Sequence, residues 1–170
     1  ILQNHLPEVL RFFLLTRHYR SPIDFTFEAM DDAEKNLKRI YETLALISKE
    51  LESPLPKAGK TDANLQKEYE EFATSWLSAM NDDVNTAAAL GHINGILHLA
   101  NRILDDKALR KTTEGREVLQ NISSSMQKWG EVLGLFQIAP EQFLESLKQC
   151  RSKRNKVDMN TLVLKIPLEA

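Results

Sequence analysis

Residues 10–27, LRFFLLTRHYRSPIDFTF, end one helix, turn the chain and start another. Leu10, Phe13 and Leu14 recur at helical spacing and lead into Arg17, His18, Tyr19 and Arg20. Pro22 disfavours the helical conformation at Ser21. Ile23-Asp24-Phe25 reads as extended, and Thr26 is placed to cap the next helix. Cations and aromatic rings are thus gathered at a corner, which is either a rigid joint or an edge that meets a polyanion. Arg17, His18 and Arg20 are read as joint residues, with Tyr19 packed on the protein.

Downstream, Phe27, Met30, Ala33, Leu37, Ile40, Tyr41, Leu44, Ile47 and Leu51 recur at spacings of three and four. That pattern predicts an amphipathic helix of about 25 residues, roughly 37 Å long. Asp31, Asp32, Glu34, Lys35, Lys38 and Arg39 are assigned to its charged face. Ser53 to Gly59, SPLPKAG, reads as a loop from its Pro and Gly content. Asp62 is expected to open a third helix on Leu65, Tyr69, Phe72, Trp76 and Met80. Asn81 to Val84 interrupts it. Asn85 or Thr86 caps a fourth helix on Leu90, Ile93, Leu97, Ala100 and Leu104. The polar stretch from Asp105 to Thr113 reads as a loop with a frayed helix end. A fifth helix runs on Val118, Leu119, Ile122, Met126, Trp129 and Leu133 until Gly134 stops it. Pro140-Glu141 starts a short sixth helix reaching about Cys150, and beyond Lys156 only Asp158 offers a further cap. Upstream, Pro7-Glu8 suits a helix start, although Leu6 is a poor cap. With no strand alternation and no internal repeat, the fold class is all-α. The expected architecture is an antiparallel bundle of four long helices plus short N- and C-terminal helices.

At 170 residues the chain is long enough for one domain with a full core. The net charge of −2 does not mark a nucleic-acid binder, but the charge is unevenly spread. Ser146 to Ala170 carries six Lys/Arg against two Asp/Glu, so a weakly acidic body ends in a basic tail. Cys150 is alone, which excludes an internal disulfide and a Cys-based metal site within the chain. There is no signal-peptide pattern and no apolar run of membrane-spanning length, so the expected location is cytoplasmic.

No catalytic constellation emerges. Asp82-Asp83 could contribute to a Mg²⁺ site, but no third acid follows one turn on. The plainer reading is two acids favouring the positive end of the next helix. His92 and His98 are six apart and lie on different helix faces, so they are not a metal pair. His-Ile-Asn-Gly at 92–95 lacks the second histidine of the nucleotide signature of class I aminoacyl-tRNA synthetases and falls inside a helical stripe. Ser123, Ser124 and Ser125 have no His/Asp setting, and no Gly-rich phosphate loop is present. No metal site is expected.

Three segments resemble the cysteinyl-tRNA synthetases. LRFFLLTRHYRSPIDFT with the following EKNLKRIYETL resembles the segment after that family's ATP-site lysine motif. FATSWLSAMNDDVNTAAALGHINGILHLAN resembles its acidic Met-x-Asp-Asp-x-Asn-Thr turn and the helix it leads into. WGEVLGLF, from Trp129 to Phe136, resembles its helix end before a Pro-started short helix. Together they cover roughly residues 7 to 145 in the family's order. Leu6 stands where the family usually has a polar cap, and Pro167 interrupts what is usually helix.

The resemblance implies a helical tRNA-binding (DALR-type) domain that follows a catalytic domain. ATP and zinc belong to that catalytic domain, and no cofactor is implied for this chain. On this basis residues 1–22 are the end of a stem-contact region, 23–156 the tRNA-binding bundle, and 157–170 the start of a linker to a C-terminal domain. The implied partners are tRNA-Cys and the parent's own other domains, with no membrane and a monomeric state. An RNA-holding surface needs Lys and Arg facing phosphates and 2′-hydroxyls. The candidates are Arg17, His18 and Arg20 at the corner, where the joint role is favoured for Arg20 and His18; Arg102, Lys107, Arg110 and Lys111 at the fourth helix end; and Lys148, Arg151, Lys153, Arg154 and Lys156 in the tail. Two alternatives stand beside this reading: the helical region of a ligase joining cysteine to an aminosugar, and a non-catalytic helical module with protein partners.

Overall fold

The computed structural model describes residues 4–54 and 63–163, with side-chain contacts over 4–54 and 64–154. These residues form seven helices and no strand: α1 (Pro7–Leu15), α2 (Phe27–Leu51), α3 (Ala63–Asn81), α4 (Thr86–Asp105), α5 (Lys107–Arg110), α6 (Thr113–Leu133) and α7 (Pro140–Val163). The expected all-α class holds. The Asp62 helix start and most of the Ser53–Gly59 loop lie outside the described residues.

Helix ends follow local chemistry. Thr26 accepts from Ala29 N–H to start α2, and Asn85 accepts from Ala88 N–H to start α4. Leu6 makes no side-chain cap on α1. Gly134 closes α6 in the left-handed region at φ +66°, which lets the chain reverse into Phe136.

Two expectations are corrected. The polar stretch after Asp105 is not simply a loop: the Asp106 carboxylate accepts from Ala108 and Leu109 N–H and holds the single turn α5. The helix starting at Pro140 is not short. It runs 24 residues to Val163, so Asp158 lies inside it rather than capping a new turn. Its core stripe of Phe143 and Leu147 continues at the same spacing on Arg151 and Arg154, which find buried acid partners on α2.

Contact registers define the packing. Tyr69 meets Ser125 and Trp76 stacks on Trp129, so α3 and α6 run in the same direction. Thr43 meets Asn101, and a groove places Asn36 beside Asn94, so α2 and α4 are also parallel. Glu68 pairs with Arg102, and Gly95 abuts Phe72, so α3 and α4 are antiparallel. Arg116, near the start of α6, caps the carbonyls of Glu50 and Leu51 at the end of α2. Consecutive long helices therefore alternate in direction, but the order around the bundle is α3, α4, α2, α6. Helices α2 and α3 sit across the diagonal and do not touch among the described residues.

The core is continuous from Val9 and Phe12 of α1 to Phe143 and Leu147 of α7. Tyr41 lies at its centre, stacked on Phe143 with centroids 3.8 Å apart, its hydroxyl donating to the Glu8 carboxylate.

Candidate nucleic-acid interface

Two of the three segments that carried the resemblance meet in space. Tyr19 donates its hydroxyl to Asp83 at 2.8 Å, the Arg20 guanidinium reaches the same carboxylate at 3.1 Å, and His18 Nε2 lies 3.7 Å away. The Thr86 hydroxyl donates to the Leu15 carbonyl at 2.9 Å, tying the end of α1 to the start of α4. His18 and Tyr19 stack with centroids 4.8 Å apart, and Arg20 lies over the Tyr19 ring. Asp83 does more than complement a helix end. It is the acceptor on which the HYR cluster closes, and it does so with a left-handed backbone, φ +55°. Val84 follows at φ +53°. Arg17 remains exposed beside this latch.

The tail places its arginines inward. Glu34, assigned from the sequence to the charged face of α2, is instead 1% exposed. Its carboxylate accepts from Arg151 Nε at 2.6 Å and Arg154 Nη2 at 3.3 Å, and lies 3.1 Å from His5 Nδ1. Burial raises the Glu34 pKa, but hydrogen bonds from Arg151 and His5 and the charges of both arginines outweigh it and hold the carboxyl below its ordinary range. Arg154 also reaches Asp31 and the Asn4 carbonyl. The pair thus clasps α7 and the N-terminal segment onto α2. Lys148 and Lys153 of the same helix are exposed. Lys156 lies outside the residues with described side chains.

The second predicted cluster is elsewhere. Arg110 reaches Glu50 at 3.7 Å and donates to the Leu104 carbonyl, and Arg102 is held by both oxygens of Glu68. Lys107 and Lys111 are exposed. Glu34 and Glu50 are 16 positions apart on α2, or about 24 Å at helical rise. The tail and the α4–α5 cations therefore sit toward opposite ends of one rod and form no single patch.

Sequence reasoning missed Asp83, Glu34 and His5 as partners. The available signal for Glu34 was its position: it lies seven residues before Tyr41 and three before Leu37, on their side of the helix. Glu114 is a further buried acid, with both carboxylate oxygens lacking a hydrogen-bond partner. Among the described residues no three His, Cys, Asp or Glu side chains converge to hold a metal ion. No described helix is long and apolar enough to cross a membrane.

Comparison with known proteins accounts for this arrangement. Residues 75–137 match the DALR domain family. The cysteine–tRNA ligase of Oleidesulfovibrio alaskensis is 51% identical over 167 residues, covering 96% of this chain and 34% of that protein. The cysteine–tRNA ligase of Nitratidesulfovibrio vulgaris is 50% identical over 158 residues, covering 93% of this chain and 33% of the relative. That of Lawsonia intracellularis is 46% identical over 160 residues. The chain thus spans about a third of the length of these relatives. The corner and the acidic turn lie inside one helical region, latched to each other, and that region is similar to the matching third of the cysteine–tRNA ligases, with residues 75–137 matching the DALR domain.

Proposed function

We propose that this chain is the tRNA-holding helical portion of a longer cysteine–tRNA ligase, and that it positions tRNA-Cys without performing chemistry itself. The observation that carries this is 51% identity to a cysteine–tRNA ligase over nearly the whole chain. The parent would join cysteine to tRNA using ATP, with ATP and zinc held by residues outside this chain, as a monomer in the cytoplasm. Residues 1–22 would enter from a stem-contact region, 23–156 would form the tRNA-binding unit, and 157–170 would lead toward a further domain.

The latch on Asp83 supports a joint role for the HYR corner. Arg20 and His18 are engaged on a protein carboxylate, which ties α1 to the α3–α4 turn, while Arg17 and the outer face of Arg20 stay exposed at the corner. Among the tail candidates, exposure favours Lys148 and Lys153 as phosphate contacts. Arg151 and Arg154 would serve by holding α7 in place, with their outer edges still reachable by an anion. Lys107 and Lys111 are the exposed lysine candidates at the far end of α2.

Filter binding of the chain to transcribed tRNA-Cys at two salt concentrations tests this. Binding should weaken steeply with salt, because each phosphate neutralised releases counterions. Charge reversal at Lys148 and Lys153 should flatten that slope. No binding at low salt, or binding indifferent to salt, would leave the helical module with protein partners as the better account.

A further inference from the structure

We infer that the groove between α2 and α4 is a second RNA-contact site, one that takes the sugar–phosphate backbone of a strand. The inference rests on the tRNA-holding reading and adds a surface that the basic clusters do not include. The groove has a volume of about 140 Å³ and is lined by Asn36, Arg39 and Thr43 of α2 and Asn94, His98 and Asn101 of α4, over a floor of Ile40 and Leu97. Because α2 and α4 are parallel, Asn36 lies level with Asn94 and Thr43 level with Asn101. The two levels are seven residues apart on each helix, about 10 Å along the groove.

The lining has the chemistry of a ribose-phosphate acceptor. Three amides and a hydroxyl can both donate and accept, as a 2′-hydroxyl requires, and a guanidinium and an imidazole can face phosphate. No carboxylate lines the groove. The neighbouring acids on α2 are already engaged: Asp32 by Lys35 at 2.9 Å, and Glu42 by Lys38. Among the described residues Arg39 meets the Asn36 amide oxygen alone, at 3.4 Å. Asn94 and His98 have no side-chain partner among the described residues, while Thr43 and Asn101 are tied to each other at 3.3 Å.

Gly91 supplies an independent observation. It sits seven residues before His98, on the same side of α4 and one turn before Asn94. A glycine in a helix interior weakens the helix relative to alanine. Most such glycines admit a close neighbour, yet nothing lies within 4 Å of where a Cβ at Gly91 would stand. No packing among the described residues requires it. Bare helix backbone at the mouth of a polar groove suits the close approach of a ligand's own backbone.

The test uses the whole 170-residue chain and transcribed tRNA-Cys, with thermal unfolding measured in parallel. The Asn94→Glu, His98→Glu double variant places two carboxylates on an exposed edge. It should lower tRNA affinity at least tenfold with an unchanged Tm. Arg39→Gln, a neutral change at an exposed position, should lower the slope of log K against log salt by about 1. Gly91→Ala should raise Tm while weakening tRNA binding several-fold, a pairing that a purely structural glycine would not produce. Inorganic phosphate at millimolar concentration should not compete with tRNA. If the wild-type chain binds tRNA and these variants bind it equally well, the groove is not a contact site and the tRNA-holding reading survives without it. If phosphate alone competes, the groove takes a small anion and the strand assignment is wrong. If the wild-type chain binds no tRNA at low salt, both readings fall together.

Discussion

Glu34 condenses the energetics of this fold into one side chain. A carboxylate loses most of its hydration at 1% exposure, and only the two arginines and His5 make its ionised form tolerable there. Glu34→Ala should therefore cost about 2–3 kcal/mol, below the usual 3–5 for a broken buried pair because Arg151 and Arg154 regain water once released. Urea unfolding at pH 7 measures it. The same change should shorten hydrogen-exchange protection in α7 before the rest of the bundle loosens. Val84 shows strain of another kind. A β-branched residue at φ +53° is an outlier with no side-chain reason, since Val84 is half exposed. Val84→Asn should stabilise the chain by about 1 kcal/mol, because asparagine tolerates that conformation. An unchanged or lowered unfolding midpoint would show that the strain is not relieved. The left-handed turn has a purpose: it directs the Asp83 carboxylate toward Tyr19 and Arg20.

At the scale of elements, α3 and α4 form the tightest helix pair, and a single residue permits it. A Cβ at Gly95 would stand 2.3 Å from the ring edge of Phe72, so alanine there forces the ring or the helices apart. Gly95→Ala should cost about 1–3 kcal/mol despite the better helix propensity of alanine. Gly91→Ala in the same helix should have the opposite sign, so a side-by-side denaturation series separates packing from propensity. Helix α2 was legible almost to the residue, because Phe27 to Leu51 keeps its apolar spacing throughout and Thr26 marks its start. Helix α7 was legible only halfway. Its stripe continues past Leu147 at positions 151 and 154, but arginine there reads as surface charge unless its buried partner is known. The same disguise made Glu34 read as part of the charged face, although its position is that of a core residue.

At the scale of the whole molecule, two glutamates push the acid response in opposite directions. Glu34 is held below the ordinary 4.5, so its contribution is complete above that pH and is lost as pH falls through its lowered folded-state value. Glu8 is raised above 4.5, chiefly by burial, although Phe136 N–H, Tyr41 and Arg11 oppose the shift. Its ionised form therefore costs stability above 4.5, and protonation recovers that cost as pH falls. Urea midpoints from pH 3 to pH 7 should show a shallower acid loss in Glu34→Gln and a steeper one in Glu8→Gln than in the parent chain. What the sequence determined alone was local. Periodicity and capping residues set six of the seven described helices and most helix ends, because those depend on neighbours three and four residues away, whereas the single turn α5 read as loop. The HYRSP and DDVNT motifs carried the resemblance to cysteine–tRNA ligases, because residue types and spacing are read directly from the chain. Only the tertiary structure decided that these motifs touch through Asp83, that α2 and α3 stand across the diagonal, and that Arg151 and Arg154 turn inward. The first and last of these are pairings between residues some 60 to 120 positions apart, and the second follows from which helices lie between. A charged side chain carries no mark of its partner until burial removes the water that would otherwise serve in the partner's place.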